Sequence, residues 1–123
     1  MQHSSRFLAL IQECKAKIEE TNVFEVKERL DSGETLTLVD TREESEWAMG
    51  RLPGAVHLSK GIIERDIERI FPDLDRELIL YCGGGFRSAL AAETLQRMGY
   101  KRPVSMDGGI RGWTEAGLLV ETD

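Results

Sequence analysis

Leu78-Ile79-Leu80-Tyr81-Cys82-Gly83-Gly84-Gly85-Phe86-Arg87-Ser88 runs on into Ala89-Leu90-Ala91-Ala92-Glu93-Thr94-Leu95-Gln96-Arg97-Met98, and this stretch decides the fold. A short apolar run stopped by glycines predicts a buried strand, and the good helix formers from Ala89 onward predict a helix. A thiol and a glycine-rich loop lie between them. Three consecutive glycines open backbone dihedrals closed to other residues and leave no side chain between the N–H groups and the sulfur. Such a loop aims successive N–H groups at Cys82, and the helix N-terminus behind it adds partial positive charge, so a thiolate or other anionic sulfur is stabilised. Arg87 adds a cation. A cysteine reacts as thiolate, with a free pKa of about 8.5 that such surroundings lower. Cys82 is therefore expected to be a nucleophile; the alternative is a buried structural cysteine before a flexible turn.

Outward from this unit, strands alternate with helices. Residues 24–30 read as a helix stopped near Gly33, 36–39 as a buried strand, 43–48 as a short helix and 55–58 as a second short strand. Ile63, Ile67, Ile70 and Phe71 share helical spacing within 62–71, which Pro72 ends; 77–82 is the central strand, 103–106 another, and 109–116 a last helix before Gly117. The expected fold is α/β, a mainly parallel central sheet flanked by helices on both faces. Phe7, Ile11, Cys14 and Ile18 fall on one helical face, predicting an extra N-terminal amphipathic helix from about Ser4 to Glu20. The expected organisation is a helical extension over 1–21 and one domain over 22–123. The helix docks on its own domain by default, with a second subunit or a partner as alternative. Cys14 reads as a small core residue; its functional alternative is a resolving thiol for Cys82.

Two further segments carry a resemblance. Asp40-Thr41-Arg42-Glu43-Glu44-Ser45-Glu46-Trp47-Ala48-Met49-Gly50-Arg51-Leu52-Pro53-Gly54-Ala55 is similar to the first signature of the rhodanese family of sulfurtransferases, with Arg51 where that family usually has histidine. Asp107-Gly108-Gly109-Ile110-Arg111-Gly112-Trp113 resembles its C-terminal Gly-Gly-x-x-x-Trp segment, and the Cys82 loop lies between the two. The order of the three motifs makes the resemblance specific over about residues 22–121. It implies a rhodanese-like fold and a thiosulfate sulfurtransferase type of enzyme. Asp40 and Arg42 are then expected to brace the active-site loop; a purely structural ion pair with Glu46 or another acid is the alternative. Trp47, Trp113 and His57 read as packing or structural residues.

Four residues separate Cys82 from Arg87. In the family that loop length goes with sulfur transfer, whereas related phosphatases have five. The implied substrate-binding residues are Gly83, Gly84, Gly85, Phe86 and Arg87. The implied mechanism stores a sulfane sulfur from thiosulfate, or from a persulfide donor, as a Cys82 persulfide, and then passes it to a thiophilic acceptor in ping-pong fashion. A phosphatase or arsenate reductase of the same architecture and a non-catalytic binding module are the alternatives.

With 123 residues the chain makes one domain. Its 16 basic and 22 acidic side chains give a net charge of -6, which argues against nucleic acid or an anionic membrane surface as partner. The expected partner is a small anionic sulfur donor or a protein persulfide donor, handled by a monomer or weak homodimer. Local cations must then attract the anion, with Arg87, Arg42 and Arg51 as candidates. Two cysteines and two histidines, His3 and His57, lie far apart without ligand pairs, so no metal or cofactor is expected. Phe7-Leu8-Ala9-Leu10-Ile11 is too short to span a bilayer, and the expected location is cytoplasmic.

Overall fold

The computed structural model describes residues 2–123. In chain order the elements are α1 (Ser5–Lys15), β1 (Glu19–Asn22), α2 (Val23–Asp31), β2 (Leu38–Asp40), α3 (Glu44–Met49), β3 (Val56–His57), α4 (Ile63–Ile70), β4 (Leu78–Tyr81), α5 (Phe86–Arg97), β5 (Pro103–Asp107) and α6 (Gly109–Glu115). The five strands form one all-parallel sheet in the order β1-β5-β4-β2-β3. No helix among the described residues is long and apolar enough to cross a membrane.

Every residue of the central strand β4 is buried, because both faces of the sheet are covered. The period-two alternation of a strand then sorts its side chains between two cores. Leu78 and Leu80 pack with Ile63 and Ile67 of α4 and Ala91, Ala92 and Leu95 of α5. Ile79 and Tyr81 point the other way, toward Val26 of α2 and Trp113 of α6. The unbroken apolar run that predicts a strand is thus the signature of two-sided burial.

The N-terminal segment differs from its periodicity. The helix ends at Lys15, not Glu20, and Glu19–Asn22 instead pair with β5, Glu19 opposite Val104 and Asn22 opposite Asp107. This edge strand is polar and mostly exposed. It is held by its backbone ladder and leaves no apolar alternation in the sequence. Asn22 then caps α2, its side-chain oxygen accepting from the Glu25 N–H at 2.9 Å. Helix α1 docks on α5 of the same domain: Ile11 and Cys14 are buried, and the Cys14 thiol donates to the Ala89 carbonyl at 3.0 Å. Burial pushes the Cys14 pKa up.

Candidate active site

Cys82 follows directly on β4, at the carboxyl end of the parallel sheet where open α/β folds bind their ligands. Helix α5 starts at Phe86, three residues earlier than its composition predicts, so Arg87 and Ser88 sit in its first turn. Gly85 caps this helix with φ +108, a left-handed backbone open mainly to glycine. A Cβ there would also lie 3.2 Å from the Asp107 carboxylate and 3.3 Å from the Gly108 nitrogen.

The turn wraps the sulfur. The Gly85 N–H donates to Cys82 Sγ at 3.1 Å and the Ser88 N–H at 3.4 Å. The thiol lies 3.6 Å from the Ser88 hydroxyl, which in turn is 2.8 Å from the Ser105 hydroxyl, both serines fully buried. Two backbone donors and a hydroxyl pair thus surround the sulfur, with the first turn of α5 behind them, an arrangement that favours negative charge. The sequence reading missed Ser88 and Ser105; only a serine directly after Arg87 hinted at the first.

Arg87 is already engaged. Its Nη1 and Nη2 donate to the two Glu46 carboxylate oxygens at 2.7 and 2.9 Å. The pair holds the Glu46 carboxyl down at about 2, chiefly through the arginine hydrogen bonds. Glu46 belongs to α3, whose first turn is closed by a reciprocal capping box between Glu43 and Glu46.

Asp40 and Arg42 pair with each other instead. Arg42 donates to the buried Asp40 carboxylate at 2.8–3.1 Å and to the Gly50 carbonyl at 2.6 Å. The acid that Arg42 meets is thus Asp40, while Glu46 is bound to Arg87. The link to the Cys82 loop runs through the residue between them: the Thr41 N–H and hydroxyl both donate to the Tyr81 carbonyl at 2.9 Å. Arg51 stays out of the site, stacked on Trp47 at 4.7 Å and paired with Asp123. His57 also stacks on the Trp47 ring, at 4.9 Å, and its Nε2 lies 2.8 Å from the Arg42 carbonyl.

A cavity of about 560 Å³ opens onto Cys82, Gly83 and Gly84 and is also lined by Glu46, Arg87, His3, Phe7, Phe86 and Arg111. His3 and Phe7 come from the N-terminal segment and meet Phe86 with ring centroids 5.1 and 5.9 Å apart. The extra helix therefore completes the mouth of the site. No group of three or more potential metal ligands occurs among the described residues.

An all-parallel α/β sheet presenting a cysteine in a tight N–H-lined loop defines the class of proteins that hold anionic sulfur or oxyanions at a helix N-terminus. Comparison with known proteins is specific within that class. The Rhodanese-like domain model matches residues 22–116, and the chain belongs to this family. A sulfurtransferase of Allochromatium vinosum is 35% identical over 95 residues, 77% of this chain and 87% of the relative. A Bacillus subtilis relative with the provisional name of sulfur carrier protein is 31% identical over 102 residues, 83% of this chain but 54% of the relative, so the chain spans about half of that relative's length. A solved structure from Rhodopseudomonas palustris CGA009, described as a protein of unknown function and possible tyrosine phosphatase, shares 32% identity at a TM-score of 0.86 over 98% of both chains.

Proposed function

We propose that the chain is a sulfurtransferase that carries sulfane sulfur on Cys82. The observation that carries this reading is the geometry around Sγ, where the Gly85 and Ser88 N–H groups and the Ser88 hydroxyl converge. The Cys82 thiolate attacks the outer sulfur of thiosulfate, the donor's S–S bond breaks, and sulfite leaves with the bonding electron pair. The persulfide anion remains on Cys82. A thiophilic acceptor such as cyanide then attacks the outer sulfur, leaves as thiocyanate and restores the thiolate. A low-molecular-weight or protein persulfide donor enters the same cycle, leaving as its thiolate. The chemistry needs no general base once the thiolate is formed, and reducing surroundings would keep Cys82 unoxidised and available.

A phosphatase reading has one observation behind it, the Rhodopseudomonas palustris neighbour described as a possible tyrosine phosphatase. Two features of this chain weigh against it. The loop has four residues between Cys82 and Arg87, and the arginine fork that would grip phosphoryl oxygens is spent on Glu46. Intact mass before and after thiosulfate separates the two. A gain of one sulfur on Cys82 that cyanide removes supports sulfur transfer. No gain with thiosulfate or with an organic persulfide, together with turnover of p-nitrophenyl phosphate, would replace it with phosphatase chemistry.

A further inference from the structure

Arg111 occupies the first turn of α6. Its backbone is locked to the loop: the Arg111 N–H donates to the Gly83 carbonyl at 3.0 Å and the Ile110 N–H to the Cys82 carbonyl at 2.9 Å. Gly109, at φ +56, makes that docking possible, since a Cβ there would lie 2.4 Å from the Cys82 carbonyl oxygen. The guanidinium then reaches across the glycines. Nη1 lies 3.1 Å from where a Gly84 Cβ would stand, and Nη2 lies 3.7 Å from the corresponding point at Gly83. A bare Gly84 thus makes room for this side chain as well as for the backbone turn, whereas at Gly83 the nearer guanidinium is that of Arg87, with Nη2 at 3.3 Å.

The two arginines of the cavity differ in charge state of their surroundings. Arg87 is neutralised by the bidentate Glu46 pair. Arg111, among the described residues, has no carboxylate within ion-pair distance and no side-chain hydrogen bond, although it lines the same cavity as Cys82. A protein of net charge -6 offers an incoming anion no favourable long-range field, so an unpaired cation in the cavity that holds Cys82 matters more. The cavity, at about 560 Å³, also exceeds what a small inorganic anion fills and falls in the range of organic ligands. His3, Phe7 and Phe86 supply an aromatic wall for such a body.

We propose that Arg111, rather than Arg87, binds the anionic group of the sulfur donor, an oxyanion or a carboxylate, and so sets the site's preference for anionic donors. The proposal rests on the sulfurtransferase reading of Cys82. Donor sulfur approaches Sγ over Gly83 and Gly84 while its negative end meets the Arg111 guanidinium. Arg87 keeps the loop in place through Glu46.

The test is a calorimetric titration of the full chain carrying Cys82→Ser, which binds but does not react, with thiosulfate and separately with 3-mercaptopropionate as a carboxylate probe. Arg111→Gln in that background should raise the Kd of the bound anion at least tenfold, Arg111→Lys should restore part of the affinity, and Arg97→Gln should leave it unchanged. Arg97 is an exposed arginine at the far end of α5 and controls for net charge. The tighter probe shows whether oxyanion or carboxylate is preferred. An unchanged Kd in Arg111→Gln, an equal rise in Arg97→Gln, or no binding of either probe overturns the proposal. Sulfur gain on the otherwise native chain, read by intact mass, is scored separately. Gain with Arg111-independent binding removes only this inference, whereas Arg111-dependent binding without gain removes the sulfurtransferase reading and, with it, the donor role of Arg111, leaving an anion-binding residue alone. In turnover, Arg111→Gln should raise KM for thiosulfate and leave kcat close to its original value.

Discussion

Glu46 of α3 grips Arg87 of the Cys82 loop through two hydrogen bonds of 2.7 and 2.9 Å, joining segments 41 residues apart in sequence. The pair turns the loop arginine from a free cation into a tether. Its cost and gain are modest, because both side chains are about a third exposed and solvent screens them.

The pair makes a pH prediction with a definite sign. The Glu46 pKa is about 2 in the folded chain against 4.5 ordinarily, so its stabilisation is present above about pH 4.5 and is lost as pH falls through 2. Glu46→Gln should therefore be less stable than the native chain at neutral pH, by under about 1 kcal/mol. The difference should shrink between about pH 4.5 and 2. Urea melts of both proteins across that range check it; a difference that grows on acidification contradicts the pairing.

Cys82→Ser should abolish sulfur gain from thiosulfate and from an organic persulfide while the protein stays folded. A hydroxyl is nearly isosteric with the thiol and accepts the same Gly85 and Ser88 N–H groups, but it is a far weaker nucleophile. Intact mass and a thermal melt together decide the matter, and retained sulfur on the variant would move the nucleophile elsewhere.

Gly109→Ala should be severely destabilising. The new Cβ would sit 2.4 Å from the Cys82 carbonyl oxygen and 2.6 Å from that of Gly83, on a backbone with φ +56. Steric overlap and left-handed strain combine, and a loss of about 3 kcal/mol or more is expected. Gly117→Ala is the comparison. It shares a positive φ of +76 but would meet no atom within 4 Å, so it should cost only about 1 kcal/mol.

Ser88→Ala should slow persulfide formation and cost about 2 kcal/mol of stability, because the buried Ser105 hydroxyl loses its 2.8 Å partner and Sγ loses its hydroxyl neighbour. Adding Ser105→Ala should recover part of the stability without restoring the rate. Single-turnover mass spectrometry and denaturant melts separate the two effects, and a double variant as slow but no more stable than Ser88→Ala would dissociate Ser105 from the hydroxyl pair.

Much of the site is legible in the sequence because it is built locally. Cys82, the glycines and Arg87 lie within six consecutive positions, and a strand end followed by a helix start forces them around one point. The parallel sheet is legible for a related reason: two-sided burial makes the central strand β4 a continuous apolar run. Polar partnerships carry no such mark. The Glu19–Asn22 strand is invisible because backbone pairing with β5, not apolar burial, holds it. Arg42 finds Asp40 two residues away and not Glu46, since the latter is turned by α3 toward Arg87.

By itself, the sequence determined the α/β architecture and the loop that holds Cys82, because periodicity, glycine freedom and the strand-to-helix turn act over short stretches of chain. Only the tertiary structure decided which charge stands unpaired in the cavity that holds the sulfur. Glu46 claims Arg87, Gly109 seats Arg111 over the glycines, and α1 carries His3 and Phe7 to the mouth. These groups come from four separate segments: the parallel strands β2, β4 and β5 deliver the chain that follows each of them to one edge of the sheet, and the docking of α1 on α5 adds the fourth.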